Sequence, residues 1–83
     1  ILANSTGINL FPNPTSGDVT LVINTVTSGM VVELYDVVGK QVATKSISEI
    51  KTTLSLSELA SGVYTYKVLN SNGVAKIGKI VKE

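Results

Sequence analysis

The chain contains no histidine, no cysteine, no tryptophan and no arginine. Each absence removes a class of chemistry. Without histidine the commonest general base is gone; without histidine and cysteine together, so are the common zinc ligand sets and any thiol nucleophile. Serine and threonine are abundant, but nothing in the sequence would activate them. Disulfides are ruled out, so cysteine usage gives no clue to redox compartment. All seven basic residues are lysine, and bidentate guanidinium clamps on phosphate or carboxylate are therefore unavailable. The net charge of +1, with no block of like charge, argues against a nucleic-acid surface. Tryptophan is missing, so a sugar-stacking platform would rest on four other aromatics, three of them tyrosine.

Longer features are missing too. No apolar run approaches the roughly 20 residues of a membrane-spanning helix. Ile1-Leu2-Ala3-Asn4 lacks the basic region and apolar stretch of a secretory leader, so the chain reads as a piece of a longer precursor. The carboxylates Asp18, Glu33, Asp36, Glu49, Glu58 and Glu83 are scattered over turns and outward strand positions. A glycosidase pair needs two carboxylates across a cleft, and a domain this small has little room for one. Asp36 lacks the clustered acidic run of a calcium loop and reads as a turn former. Asn4-Ser5-Thr6 fits the three-residue glycosylation pattern, a weak match. No enzymatic activity, metal or cofactor is expected.

What remains is 83 residues, 43% of them hydrophobic. That suits one small domain, which buries only about 60–65% of its unfolded surface. The apolar residues alternate, as in half-buried strands. Residues 1–7 read as a linker from an upstream domain, and residues 8–83 as the domain itself. Ile8 to Phe11 is a short first strand. Pro12-Asn13-Pro14-Thr15-Ser16-Gly17 stops it, because each proline fixes φ and removes a donor; the expectation is a rigid crossover from one sheet to the next. Asp18 to Thr25 places Val19, Leu21 and Ile23 inward, and Met30 to Tyr35 does the same with Met30, Val32 and Leu34. Asp36-Val37-Val38-Gly39 reads as a hairpin connection with its valines partly exposed, in which Asp36 bonds its own backbone and Gly39 takes a left-handed conformation.

Lys40 to Ile47 returns antiparallel, with Val42 and Thr44 inward, and Lys51 to Leu56 presents Leu54 and Leu56. Ser57 to Ala60 reads as a turn or a single helical turn capped by Ser57. Leu59, Gly62 and Tyr64 have the spacing of a tyrosine corner, a buried ring whose hydroxyl is anchored on nearby backbone. Tyr64, Tyr66 and Val68 follow on one face. Asn70 to Gly73 is a hairpin signal, and Val74 to Val81 closes the chain, with Gly78 marking a bulge. About seven short strands and no amphipathic helix point to an all-β, antiparallel, Ig-like Greek-key β-sandwich. Lys76, Lys79 and Lys82 recur along the last strand. The simpler reading is edge protection, preferred on physical grounds; the sharper one is a basic strand read by a partner through strand addition.

As a set, four stretches resemble the type IX secretion (Por secretion) C-terminal sorting domains, type A, of Bacteroidetes. Leu10-Phe11-Pro12-Asn13-Pro14-Thr15-Ser16-Gly17 is similar to that family's aromatic-Pro-Asn-Pro-x-x-Gly opening. Leu34-Tyr35-Asp36-Val37-Val38-Gly39-Lys40 resembles its hairpin, Leu59-Ala60-Ser61-Gly62-Val63-Tyr64 its Leu-x-x-Gly-x-Tyr, and Lys79-Ile80-Val81-Lys82 its basic-aliphatic tail. The resemblance implies a delivery signal that passes through the periplasm, is recognised by the outer-membrane type IX translocon, and is removed by a sortase-like peptidase. The cargo upstream then reaches the cell surface or the medium. Carried over, Pro12, Asn13, Pro14 and Gly17 form a first recognition motif and Lys79, Ile80, Val81 and Lys82 a terminal one. Asp36, Gly39, Leu59, Gly62 and Tyr64 hold the fold. The rival expectation is an Ig- or fibronectin-like accessory or adhesion domain, for which Tyr35 and Phe11 would be the sugar-facing rings. The short, tethered first strand is also a candidate for swapping between protomers.

Overall fold

A computed structural model describes residues 7–12 and 14–83. Among them are seven strands: β1 (Ile8–Phe11), β2 (Asp18–Ile23), β3 (Val31–Tyr35), β4 (Gln41–Ser46), β5 (Lys51–Ser55), β6 (Gly62–Asn70) and β7 (Gly73–Lys82). They form two antiparallel sheets, one of three strands in the order β1-β2-β5 and one of four in the order β4-β3-β6-β7. Alternation decides which side of each strand faces the other sheet. Val19, Leu21 and Ile23 of β2 meet Val32 and Leu34 of β3 and Tyr64, Tyr66 and Val68 of β6 in one buried cluster. Ile8, Met30, Ile47, Leu54, Leu56 and Ile80 complete it. The seven-strand sandwich expected from the alternation is the observed architecture.

Pro12 to Gly17 does not carry the chain between sheets. β1 and β2 are neighbours, with Ile8 opposite Ile23 and Phe11 opposite Thr20. The segment is the connection of a wide hairpin within the three-stranded sheet. Its prolines still end β1, and the Phe11–Pro12 peptide is cis. Asn13 lies outside the described residues.

Two other local expectations change, and a third settles on one of its two alternatives. Between β3 and β4 the register slips at Leu34/Tyr35: Leu34 faces Ala43 but Tyr35 faces Gln41, leaving Val42 as the extra residue. This bulge resets the alternation, so Thr44 points outward beside Glu33 while Ala43 turns in. The slip in the last hairpin lies at Val68/Leu69, not at Gly78. Gly78 is required for another reason: it sits opposite Tyr66, and a Cβ there would come within 2.6 Å of the tyrosine ring and hydroxyl. Ser57 to Ala60 is a turn closed by the Leu59 amide donating to the Leu56 carbonyl at 2.9 Å, without a helical turn for Ser57 to cap.

The tyrosine corner forms as its spacing predicts. The Tyr64 hydroxyl donates to the Ala60 carbonyl at 2.6 Å, and Leu59 packs half-buried against the core. Gly62 permits the entry to β6 with a φ of 154°, where a side chain is strained. At the other hairpin, one Asp36 carboxylate oxygen accepts the Val38 amide at 3.1 Å and the Lys40 amide at 3.0 Å. Gly39 takes a φ of 89°. Asp36 and Gly39 alone therefore satisfy the geometry of that turn.

The sheets' outer strands are joined by lysines. Lys45, paired with the inward-facing Val32, donates from β4 to the Thr53 carbonyl on β5 at 2.8 Å. Lys76, paired with the inward-facing Val68, donates from β7 to the Ile8 carbonyl on β1 at 3.2 Å. Each open side of the sandwich is thus bridged by an edge lysine whose ammonium reaches a backbone carbonyl of the other sheet. The expected outcome for Gly78→Ala is a loss of about 1–3 kcal/mol in chemical denaturation, from overpacking against Tyr66. Tyr64→Phe should cost about 0.5–1.5 kcal/mol, the net worth of its hydrogen bond.

Candidate recognition surface

The two stretches singled out for recognition meet in space. Thr15 forms an isolated parallel bridge to Lys82. Its amide donates to the Val81 carbonyl at 2.9 Å, and its carbonyl accepts the Glu83 amide at 2.8 Å. Its hydroxyl donates to the Asp18 carbonyl at 2.8 Å and accepts the Gly17 amide at 3.1 Å. Only 3% of Thr15 is exposed, so these bonds are shielded from water. A connection belonging to one sheet is in this way clasped to the last strand of the other.

Around this clasp the residues divide by direction. Pro12, Pro14 and Ser16 are exposed and Gly17 is half-buried. Along β7 the period of two puts Lys76, Gly78, Ile80 and Lys82 on the inner side and Ile77, Lys79 and Val81 on the outer. Ile80 is fully buried, and a side chain of that size contributes about 1.5–3 kcal/mol to folding. The Lys82 ammonium donates to the Leu59 carbonyl at 2.9 Å, tying the tail to the start of the tyrosine corner. In the folded domain, then, the outward part of the tail is Lys79, Val81 and Glu83.

Tyr35 lies on the outer face of the four-stranded sheet. Its hydroxyl donates to a Glu33 carboxylate oxygen at 2.5 Å, and the Lys67 ammonium stands 4.9 Å above its ring. The bond to Glu33 raises the Tyr35 pKa above its ordinary 10.0, with desolvation and the nearby charge acting the same way. Burial raises that of Tyr66. Phe11 is half exposed at the end of β1. The two rings weighed for sugar stacking thus sit on different sheets.

Thr15 was the residue that motif reading passed over. A threonine two positions before a glycine is an available turn signal, since its hydroxyl can hold the following backbone. Nothing local, however, announces that its own peptide groups pair with residues more than sixty positions away.

A two-layer antiparallel sandwich with its motif-bearing backbone gathered at one end defines the class: a small β-sandwich domain. The family model for the secretion system C-terminal sorting domain matches residues 9–83, and the chain belongs to that family. It is a C-terminal sorting signal of type IX secretion, which implies export of its carrier to the cell surface or the medium. No curated protein matches the chain.

Thr15→Val keeps the volume but leaves the Asp18 carbonyl and the Gly17 amide without the hydroxyl. It should lower stability by about 1–3 kcal/mol in urea titration, with Thr15→Ser closer to the parent. Tyr35 and Tyr66 hold their protons more tightly folded than unfolded. Their stabilisation is complete below about pH 10 and is lost as pH rises through the raised values. Melting temperature should therefore fall as pH rises above about 10, less steeply in Tyr66→Phe once each protein is referred to its own neutral value.

Proposed function

We propose that the domain works without chemistry of its own, as a folded address read at the outer membrane by the type IX translocon after transit through the periplasm. A sortase-like peptidase then separates it from the cargo, within or upstream of residues 1–7, which act as the linker. The observation that supports this reading is the clasp at Thr15. It brings the Pro12–Gly17 connection and the Lys79–Lys82 tail, distant in sequence, onto one end of the sandwich. A partner that contacts that end meets Pro12, Pro14, Lys79 and Val81 together. Asn13 belongs to the same stretch of sequence. Ile80 and Lys82 serve the address by holding its strand in place.

The test uses a reporter carrying a cleavable N-terminal leader and this domain at its C-terminus, expressed in a bacterium with a type IX system. The reporter should appear at the surface or in the medium, while the same reporter without the domain stays in the periplasm. Equal release of both would overturn the reading. Lys82→Met keeps the apolar stem and removes only the charge. Its export should fall no further than its melting temperature does; a loss of export at unchanged melting would make the Lys82 charge a direct contact.

A further inference from the structure

The hairpin joining β6 and β7 turns on a dipeptide with chemistry of its own. The chain's asparagines precede Ser5, Leu10, Pro14, Thr25, Ser71 and Gly73. An asparagine loses its side-chain amide when the backbone nitrogen of the next residue attacks the side-chain carbonyl. A side chain on that next residue crowds the attack, and glycine alone has none. Proline has no amide hydrogen to give up, so Asn13 cannot react in this way. Covalent structure thus makes Asn72–Gly73 the most reactive of these pairs.

The fold widens the difference. Ser71 and Asn72 form the turn between Asn70 and Gly73, the terminal pair of the β6–β7 ladder. Ser71, Asn72 and Gly73 are all exposed. Gly73 has a φ of 117°, and a Cβ built on it would meet nothing within 4 Å, so the space beside its backbone is open. Among the described residues nothing bonds the Asn72 side-chain amide. A terminal ladder pair opens at little cost, and opening frees the Gly73 nitrogen. The other described asparagines are held. The Asn70 side-chain carbonyl accepts the Asn72 backbone amide at 2.8 Å. The Asn24 side chain lies against Gly7, where a Cβ would fall 2.1 Å from its nitrogen. Asn9 lies inside β1, and the Leu10 that follows it is paired with Leu21.

We infer that Asn72 is a self-modifying site of the folded domain, with water as its co-reactant. The Gly73 nitrogen gives its proton to hydroxide and bonds to Asn72 Cγ. The Cγ–Nδ2 bond breaks, the side-chain nitrogen leaves as ammonia, and a succinimide remains. Water then adds to either carbonyl of that ring. Addition at Cγ breaks the new bond to the Gly73 nitrogen and gives aspartate. Addition at the main-chain carbonyl of residue 72 breaks the original peptide bond and gives isoaspartate. Water is consumed and ammonia released in equal amounts, with nothing oxidised or reduced. Both products put a carboxylate on a turn that had none. Isoaspartate also routes the main chain through the side chain, which adds a carbon to a turn of only Ser71 and Asn72 and loosens the hairpin where β7 begins. The chemistry is the chain's own and does not depend on what reads the domain.

The test ages the reporter fusion at physiological temperature and mildly alkaline pH. Its peptides are then mapped by mass spectrometry, with fragmentation that separates aspartate from isoaspartate. Asn72 should convert at least about tenfold faster than Asn9, Asn24 or Asn70, a barrier lower by about 1.4 kcal/mol. Conversion at Asn72 no faster than at Asn24 overturns the site. Asn72→Gln has a longer side chain that closes the corresponding ring far more slowly. It should stay unmodified over the same period, with a melting temperature within about 2 °C of the parent. The same acid appearing in the peptide 68–76 of that variant at the parental rate overturns Asn72 as its source. The isoaspartyl form, separated by ion exchange, should melt below the parent, while Asn72→Asp, which carries the charge without the extra carbon, should not. Equal melting of the isoaspartyl form and Asn72→Asp overturns the loosening.

Discussion

Two sheets laid face to face must be held together at their sides, and that constraint organises this domain. With three strands in one sheet and four in the other, β1, β5, β4 and β7 are all edges. The core holds the faces together, but an apolar core does nothing for the peptide groups along those edges. The chain closes both sides with the same device, an inward-directed lysine on a β4 or β7 edge reaching a carbonyl of the sheet opposite. At one end it adds the stronger form, peptide groups of Thr15 paired with those of β7. With no cysteine to cross-link the layers and a small core, such polar stitching carries a larger share of the fold's definition than it would in a larger sandwich.

The same stitching explains the composition of the tail. Lysines at positions 76, 79 and 82 look like one basic stripe in sequence, yet a strand turns alternate residues to opposite faces. Lys76 and Lys82 face inward and end on the carbonyls of Ile8 and Leu59; Lys79 faces out. One strand therefore directs its lysines two ways, two of them onto backbone carbonyls and one outward.

Much of the fold was legible because strand periodicity is a local signal. The inward residues of β2, β3 and β6 fall where alternation puts them, and Tyr64 finds the Ala60 carbonyl at the distance in sequence that a tyrosine corner requires. The misreadings share one cause. Thr44 was placed by counting from its strand's start, and the bulge at Val42 added a residue to the count. Glycine in a strand has two common uses, a bulge or a close approach, and only the position of the Tyr66 ring shows that Gly78 serves the second. Pro12 to Gly17 was read as a sheet change because proline reports that a strand ends, not where the chain goes next. At the recognition surface the motifs could be found by order and spacing, but their meeting through Thr15 is a long-range pairing that no short window contains.

The clasp and the Lys76 bond share a mechanical meaning. β1 is the first strand of the domain and β7 the last. Lys76 ties the start of β7 to β1 through an ammonium, and Thr15 ties the end of β7 to the β1–β2 connection through peptide groups. A pull applied to the tail therefore loads the β1–β2 connection as well as β6, its neighbour in the sheet. Traction on the last strand thus passes to the first hairpin along a short load path of hydrogen bonds, and the two sheets bear it as one body.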